Sequence, residues 1–180
     1  MPDQFLFLDA NILLHYDFFD EIDWIKVAGT ASVELVLPYT IISILDEKKY
    51  LSSDPAVKER ARKVIAKLRE LDRKDSSLVR NGVTLRLLPQ EREMDYSQWG
   101  LNKESEDDRF IADILFFGQQ HPCEKIAVVT GDFGLELKFN RHNIPLLPLA
   151  EDYLLPDRSD AQTKRIKELE ATVLKWTAPH

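Results

Sequence analysis

Apolar residues along this chain switch repeatedly between two spacings. FLFL (5–8) is a continuous apolar run, too short for a helix, and predicts a buried strand. NILLHYDFF (11–19) spaces its apolar residues helically, and DEIDWIKVAG (20–29) ends that helix or makes a second one. VELVLP (33–38), rich in β-branched residues and stopped by Pro38, predicts a second strand. TIISILDEKKYL (40–51) predicts a helix with Thr40 as its N-cap. The strongest helical signal is SSDPAVKERARKVIAKLRELDRKD (52–75), where Val57, Ala61, Val64, Ile65, Leu68 and Leu71 form one stripe and Pro55 suits a first turn. RNGVTLRLLP (80–89) reads as an Asn-Gly turn and a strand, and QEREMDYSQWGLNK (90–103) as polar and irregular.

SEDDRFIADILFFGQQ (105–120) predicts a helix opening on a capping box of Ser105 and Asp108. KIAVVT (125–130) predicts a buried strand, FGLELKFNRH (133–142) a short helix, and IPLLPL (144–149) a strand or extended segment. AQTKRIKELEATVLKW (161–176) predicts a terminal helix with Ile166, Leu169, Val173 and Leu174 in one stripe. Strands alternating with helices imply an α/β fold, a three-layer α/β/α sandwich around a mainly parallel sheet.

Composition narrows the setting. No apolar run approaches the ~18 residues that span a bilayer, so no membrane partner is expected. The first residues lack a basic region and a small-residue cleavage site, and the single cysteine, Cys123, has no internal partner. Both fit a cytoplasmic protein. The net charge of −7 argues against a nucleic-acid binder until local charge is considered.

The acids are placed in a pattern. Ligand sites in parallel sheets lie at the carboxyl ends of strands. Asp9 directly follows FLFL, and Asp132 follows IAVVT through Thr130 and Gly131. Asp107 and Asp108 lie in the first turn of one helix, and Asp46 and Glu47 on another. Each has a plain structural alternative: Asp9 as an N-cap, Asp107 and Asp108 as dipole partners, Asp46 and Glu47 as solvated residues beside Lys48 and Lys49, Asp132 as a turn residue. Those alternatives leave the joint placement at strand ends unexplained. Converging carboxylates repel unless a cation lies between them. With oxygen ligands only, the fitting ion is Mg²⁺ or Mn²⁺, which supports phosphodiester hydrolysis.

LDANILL, SEDDRFIADIL and VVTGDFGLELK, in this order, resemble the acidic motifs of the PIN domain family of metal-dependent ribonucleases. The resemblance spans roughly residues 4 to 155. It implies a nuclease domain over 1–155, with 156–180 a helical extension that packs on the domain or on a partner. It also implies Asp9, Asp107 or Asp108, and Asp132 as metal ligands, with Asn11 and Thr130 orienting Asp9 and Asp132. Hydrolysis would leave 5′-phosphate and 3′-hydroxyl ends. The second motif departs from the family's Pro…Glu-Leu-Asp: in PYTIISILDEKK, Ile44 stands where the glutamate belongs. Glu47, one turn along the same face, or Asp46, which matches the motif's Leu-Asp, is expected to substitute.

Phosphates need cations. Arg109 and Lys138 lie beside the acidic motifs, and Arg62 and Arg69 belong to a local basic excess over 58–74 that also includes Lys58, Arg60, Lys63, Lys67, Arg73 and Lys74. That excess is either a backbone-tracking surface or the solvated face of an amphipathic helix. Trp99 and Tyr96 could stack on bases or anchor their loop. The partner implied is nucleic acid, RNA before single-stranded DNA. A homodimer or an antitoxin-like protein partner stays open.

Two other readings compete. Phosphotransfer enzymes of the haloacid-dehalogenase type also place an aspartate after the first strand, but they want Asp-x-Asp, and Asn11 cannot serve as the second acid. A catalytically weak or inactive PIN-like module that binds RNA or a protein is the other, and Ile44 favours it.

Overall fold

The structure, a computed structural model, describes residues 2–74, 77–90, 94–156 and 169–173. Strand β1 (Gln4–Leu8) is buried from Phe5 to Leu8 because it lies inside the sheet with strands on either side. That is why FLFL is apolar throughout and not alternating. β2 (Val33–Pro38) and β5 (Ile126–Val129) flank it in parallel, with Leu6 opposite both Leu35 and Ala127. β4 (Val83–Leu88) pairs in parallel with β2, and β3 (Leu78–Arg80) closes the edge antiparallel to β4. The order is β3-β4-β2-β1-β5. The mainly parallel sheet with its helices is the α/β architecture expected from the alternating pattern.

The boundaries differ where tertiary contacts intervene. Helix α1 (Ala10–His15) stops short of residue 19: Tyr16 turns extended and bridges Leu154, and the Asp17 N–H bonds to the Tyr153 carbonyl. α2 (Trp24–Ala28) follows, capped by Asp23 and ended by Gly29 at a φ of 67°. The hairpin partner β3 was not foreseen, since three mostly exposed residues carry little pattern. The Asn81-Gly82 turn joins it to β4, with Gly82 at a φ of 78°, where an added Cβ would meet the Ala31 carbonyl oxygen at 3.0 Å.

Helix α3 (Tyr39–Leu51) starts immediately after Pro38, so Thr40 lies inside it and is not its N-cap. α4 (Pro55–Arg73) places Pro55 in its first turn behind the Asp54 cap. Its stripe is buried from Val57 to Leu68, with Leu71 partly covered. α5 (Glu106–Gln120) and α6 (Phe133–Arg141) flank β5 in sequence. The 144–149 segment forms no strand. It makes a single bridge through Leu146 to Val128, between two prolines that lack the N–H a ladder needs. In the terminal segment, residues 169–173 are helical with Leu169 and Val173 exposed, while Ile166 and Leu174 lie outside the described residues.

Candidate active site

β1, β2, β4 and β5 run the same way, so Leu8, Pro38, Leu88 and Val129 end at one edge of the sheet. β1 and β5 are neighbours, which sets the residues after them side by side. The Asp9 N–H donates to the Val129 carbonyl at 3.1 Å, tying the two strand ends together.

Asp9 stands at the N-cap position of α1, yet its side chain makes no capping bond. Its Oδ2 instead accepts from the Thr130 hydroxyl at 2.8 Å and from the Asn11 amide at 3.3 Å. The residue is only 7% exposed. Burial pushes its carboxyl above the ordinary aspartate value, and the nearby Asp132 charge pushes the same way. The Thr130 and Asn11 bonds and the Ala10 N–H pull it down without overcoming the rise. A carboxylate held in this state favours a cation or a proton beside it.

Thr130 serves both acids. Its Oγ donates to Asp9 and accepts from the Asp132 N–H at 3.1 Å. Asp132 caps α6, with Oδ1 accepting from the Leu135 N–H at 3.2 Å. Asp132 thus has a structural role on one oxygen, as a helix N-cap where a turn residue was the plain alternative. The turn between them runs against Tyr16, whose Oη would lie 3.2 Å from any Cβ added at Gly131.

The α5 acids approach from another side. The Ser105 hydroxyl accepts from the Asp108 N–H, as expected of an N-cap. The reciprocal half of the capping box is missing, because the Ser105 N–H donates to the Asn102 carbonyl and Asp108 Oδ2 accepts from the Asn102 N–H at 2.9 Å. Lys138, on α6 beyond Asp132, sits 3.6 Å from both Asp107 Oδ2 and Asp108 Oδ1. Lys138 thus links the helix headed by Asp132 to the helix headed by the acidic pair. Asp9, Asn11, Thr130 and Asp132 form one linked group; Asp107, Asp108 and Lys138 form a second. Among the described residues no three His, Cys, Asp or Glu side chains come close enough to form a metal cage by themselves.

The two acids expected to substitute for the motif's glutamate stand apart. Asp46 and Glu47 are exposed on α3 and bond to none of the other candidate acids among the described residues. The face of α3 towards α5 is marked by Thr40, whose hydroxyl donates to Asp113 Oδ2 at 2.8 Å. Ile44 and Glu47, four and seven residues on, share that face, whereas Asp46 is turned away from it. Asp113 and Thr40 were not foreseen together. The signal was present: Asp113 is the sole charged residue in the FIADILFF run.

The basic excess of α4 is partly structural. The Arg60 guanidinium donates to the Leu13 and Tyr16 carbonyls and covers the Phe18 ring at 3.4 Å, and Lys67 pairs with Asp20 at 2.9 Å. These two clamp the loop after α1 and leave the candidate nucleic-acid surface. Arg62 pairs with Glu59 at the surface, and Arg69 is exposed. Tyr96 and Trp99 fall in a 3-10 turn and are half-buried.

Strand ends carrying Asp9 and Thr-Gly-Asp132, with an acid-headed helix between them in sequence, are matched by a family pattern over residues 6–150, described as PIN domain. The chain belongs to the PIN domain family. PIN domains are in general nuclease-related. A solved structure similar to this PIN domain is a domain of a functionally unknown protein from Methanocaldococcus jannaschii. It is 14% identical, with 81% of this chain and 91% of that chain covered and a TM-score of 0.49. Comparison with curated proteins gave no match. No helix among the described residues is long and apolar enough to cross a membrane.

Proposed function

We propose that this PIN domain is a Mg²⁺- or Mn²⁺-dependent endonuclease that hydrolyses phosphodiester bonds, with RNA as its substrate. The observation that carries the reading is Asp9: a buried carboxylate at the end of a central strand, unused as a cap, fixed by two side-chain donors and facing the charge of Asp132. A core position gains no stability from such a group. Mg²⁺ keeps several waters and takes few protein carboxylates together with substrate phosphate, so the linked pair Asp9 and Asp132 is the core of the set we assign to it. Asp9 and Asp132 would hold it, with Asp107 or Asp108 completing the set. When bound, the ion supplies an activated water and charge stabilisation at the leaving oxygen.

The chain's own groups do the rest. Thr130 fixes the rotamer of Asp9 and the backbone of Asp132 at once, so the two acids keep their spacing. Asn11 adds a second donor to the same oxygen of Asp9. Lys138 lies against Asp107 and Asp108 and would turn to a substrate phosphate, since a 3.6 Å surface pair is weakly held. The direct test is incubation with labelled RNA and labelled single-stranded DNA, with Mn²⁺ or with chelator. Mn²⁺-dependent RNA cutting is expected, and intact RNA in every lane would end the proposal.

Thr130→Val removes both hydroxyl bonds while keeping the shape. Metal affinity or cleavage should fall by roughly 10- to 100-fold, as when other residues that orient ligands are lost. Equal rates for the variant and the parent would take Thr130 out of the site.

A second reading, a PIN domain without catalysis that binds RNA or a protein, is favoured by Ile44 in the second motif and by the exposed, unlinked Glu47 and Asp46. Thermal melting with Mn²⁺ separates the two. An ion present at a hundred times its Kd stabilises a live site by about 2.7 kcal/mol. A melting curve indifferent to millimolar Mn²⁺ would favour the inactive module.

A further inference from the structure

A second feature of the same sheet edge remains unused by the acidic centre. A cavity of about 600 Å³ opens beyond the ends of β2 and β4, lined by residues that include Thr40, Tyr96, Lys103, Glu104, Arg109 and Asp113. β2 is the neighbour of β1, so the cavity opens on the same sheet edge as the acids that follow β1 and β5. Arg109 follows Asp108 directly on α5 and lines the cavity side, while Asp108 meets Lys138.

The lining is charged in both senses, and its part-buried carboxylate is held in place. Asp113 is fixed from α3 by the Thr40 hydroxyl at 2.8 Å. Arg109, one turn before it, is half-buried and has no side-chain bond or ion pair among the described residues. The Tyr96 phenol senses both: burial raises its pKa, Asp113 raises it further, and Arg109 lowers it. A carboxylate, a guanidinium and an aromatic ring therefore share one hollow.

A phosphate gains little here, because Asp113 and Glu104 offset the attraction of Arg109 and Lys103. A neutral ring with donors on one edge and acceptors on another suits the lining. We propose that this cavity is a nucleobase subsite that selects guanine in the RNA bound at the acidic centre. The identity of the polymer rests on the nuclease reading above. Guanine offers adjacent N1–H and N2–H donors to Asp113 and O6 and N7 acceptors to Arg109, with the Tyr96 ring available for stacking. Uracil has one donor flanked by two carbonyls, which the carboxylate would repel.

The test needs neither metal nor cleavage. The full chain in chelator is titrated with guanosine, inosine, adenosine, cytidine and uridine, and binding is followed by amide NMR shifts. Guanosine should bind roughly tenfold or more tighter than uridine, the effect of a good two-point base contact. Inosine, without the 2-amino donor, should lose part of that margin, and the shifts should centre on Thr40, Tyr96, Arg109 and Asp113. Asp113→Asn should erase the preference. Arg109→Gln, at a residue with no side-chain bond among the described residues, should do the same and guards against a folding defect in the first variant. Equal affinity for all five nucleosides, shifts centred elsewhere, or a preference that survives in folded Asp113→Asn would overturn the subsite. Mn²⁺-dependent cleavage without guanosine preference would sink the subsite alone. Guanosine preference without cleavage would sink the nuclease reading alone.

Discussion

Replacing Asp9 with asparagine is expected to reduce Mn²⁺-dependent cleavage at least a hundredfold, because residues that merely orient a metal's ligands already cost up to that much. The same change should raise the melting temperature in chelator. The two effects have one cause. Asn keeps an oxygen for the Thr130 hydroxyl but removes a charge that is buried and faces Asp132. The pH dependence follows from the sign of the shift. An acid whose folded-state pKa is raised adds stability only while protonated: the contribution is complete below the unfolded value and is lost as pH rises through the folded one. The melting difference between Asp9→Asn and the parent should therefore widen from low pH upward across the interval above the ordinary aspartate value, then level off. Melting curves over a pH series, in chelator and then in Mn²⁺, check this. In Mn²⁺ the parent should gain stability and the variant should not. A variant that melts lower than the parent at every pH would mean that Asp9 is structural, and full cleavage by the variant would remove it from the chemistry.

Phe117→Ala is expected to cost about 3–5 kcal/mol, the range for deleting a buried aromatic ring. Phe5 and Phe7 alternate onto one face of β1, and Phe117 from α5 meets both edge-on, with centroids at 5.1 and 5.3 Å. His121, the C-cap of α5, stacks on the same ring at 4.0 Å. The ring is fully buried, so its loss leaves a cavity between helix and sheet. A domain has only about 5–15 kcal/mol in total, so the variant should be near the limit of folding. Urea unfolding should show a lower midpoint with an unchanged slope. A loss under 1 kcal/mol would show that the α5–β1 contact collapses easily and does not anchor the helix that carries Asp107, Asp108 and Arg109.

The parts of this protein that were legible in its sequence are those set by local pattern. VELVLP is a strand from end to end because its residues, Glu34 apart, are apolar up to a proline. The α4 stripe is buried as its spacing requires. That Asp9 and Asp132 both follow strands was legible as well, whereas their adjacency depends on β1 and β5 being neighbours in the sheet. The PIN resemblance rested on the same stretches and is matched by the family assignment over residues 6–150.

What the chain alone left open was decided by partners distant in sequence. Thr40 has the residue type of an N-cap, but α3 starts one residue earlier and its hydroxyl goes to Asp113, seventy-three positions away. Asp108 has the spacing of a capping box, yet its carboxylate turns to the Asn102 N–H. Arg60 and Lys67 belong to a basic run by composition, but carbonyls, Phe18 and Asp20 across the α1–α4 contact occupy them. In each case several partners were locally possible, and hydrogen-bond geometry at about 3 Å chose among them only once the layers had packed. Periodicity along the chain determines which face of an element is buried; which polar group meets which depends on how helix and sheet are set against each other.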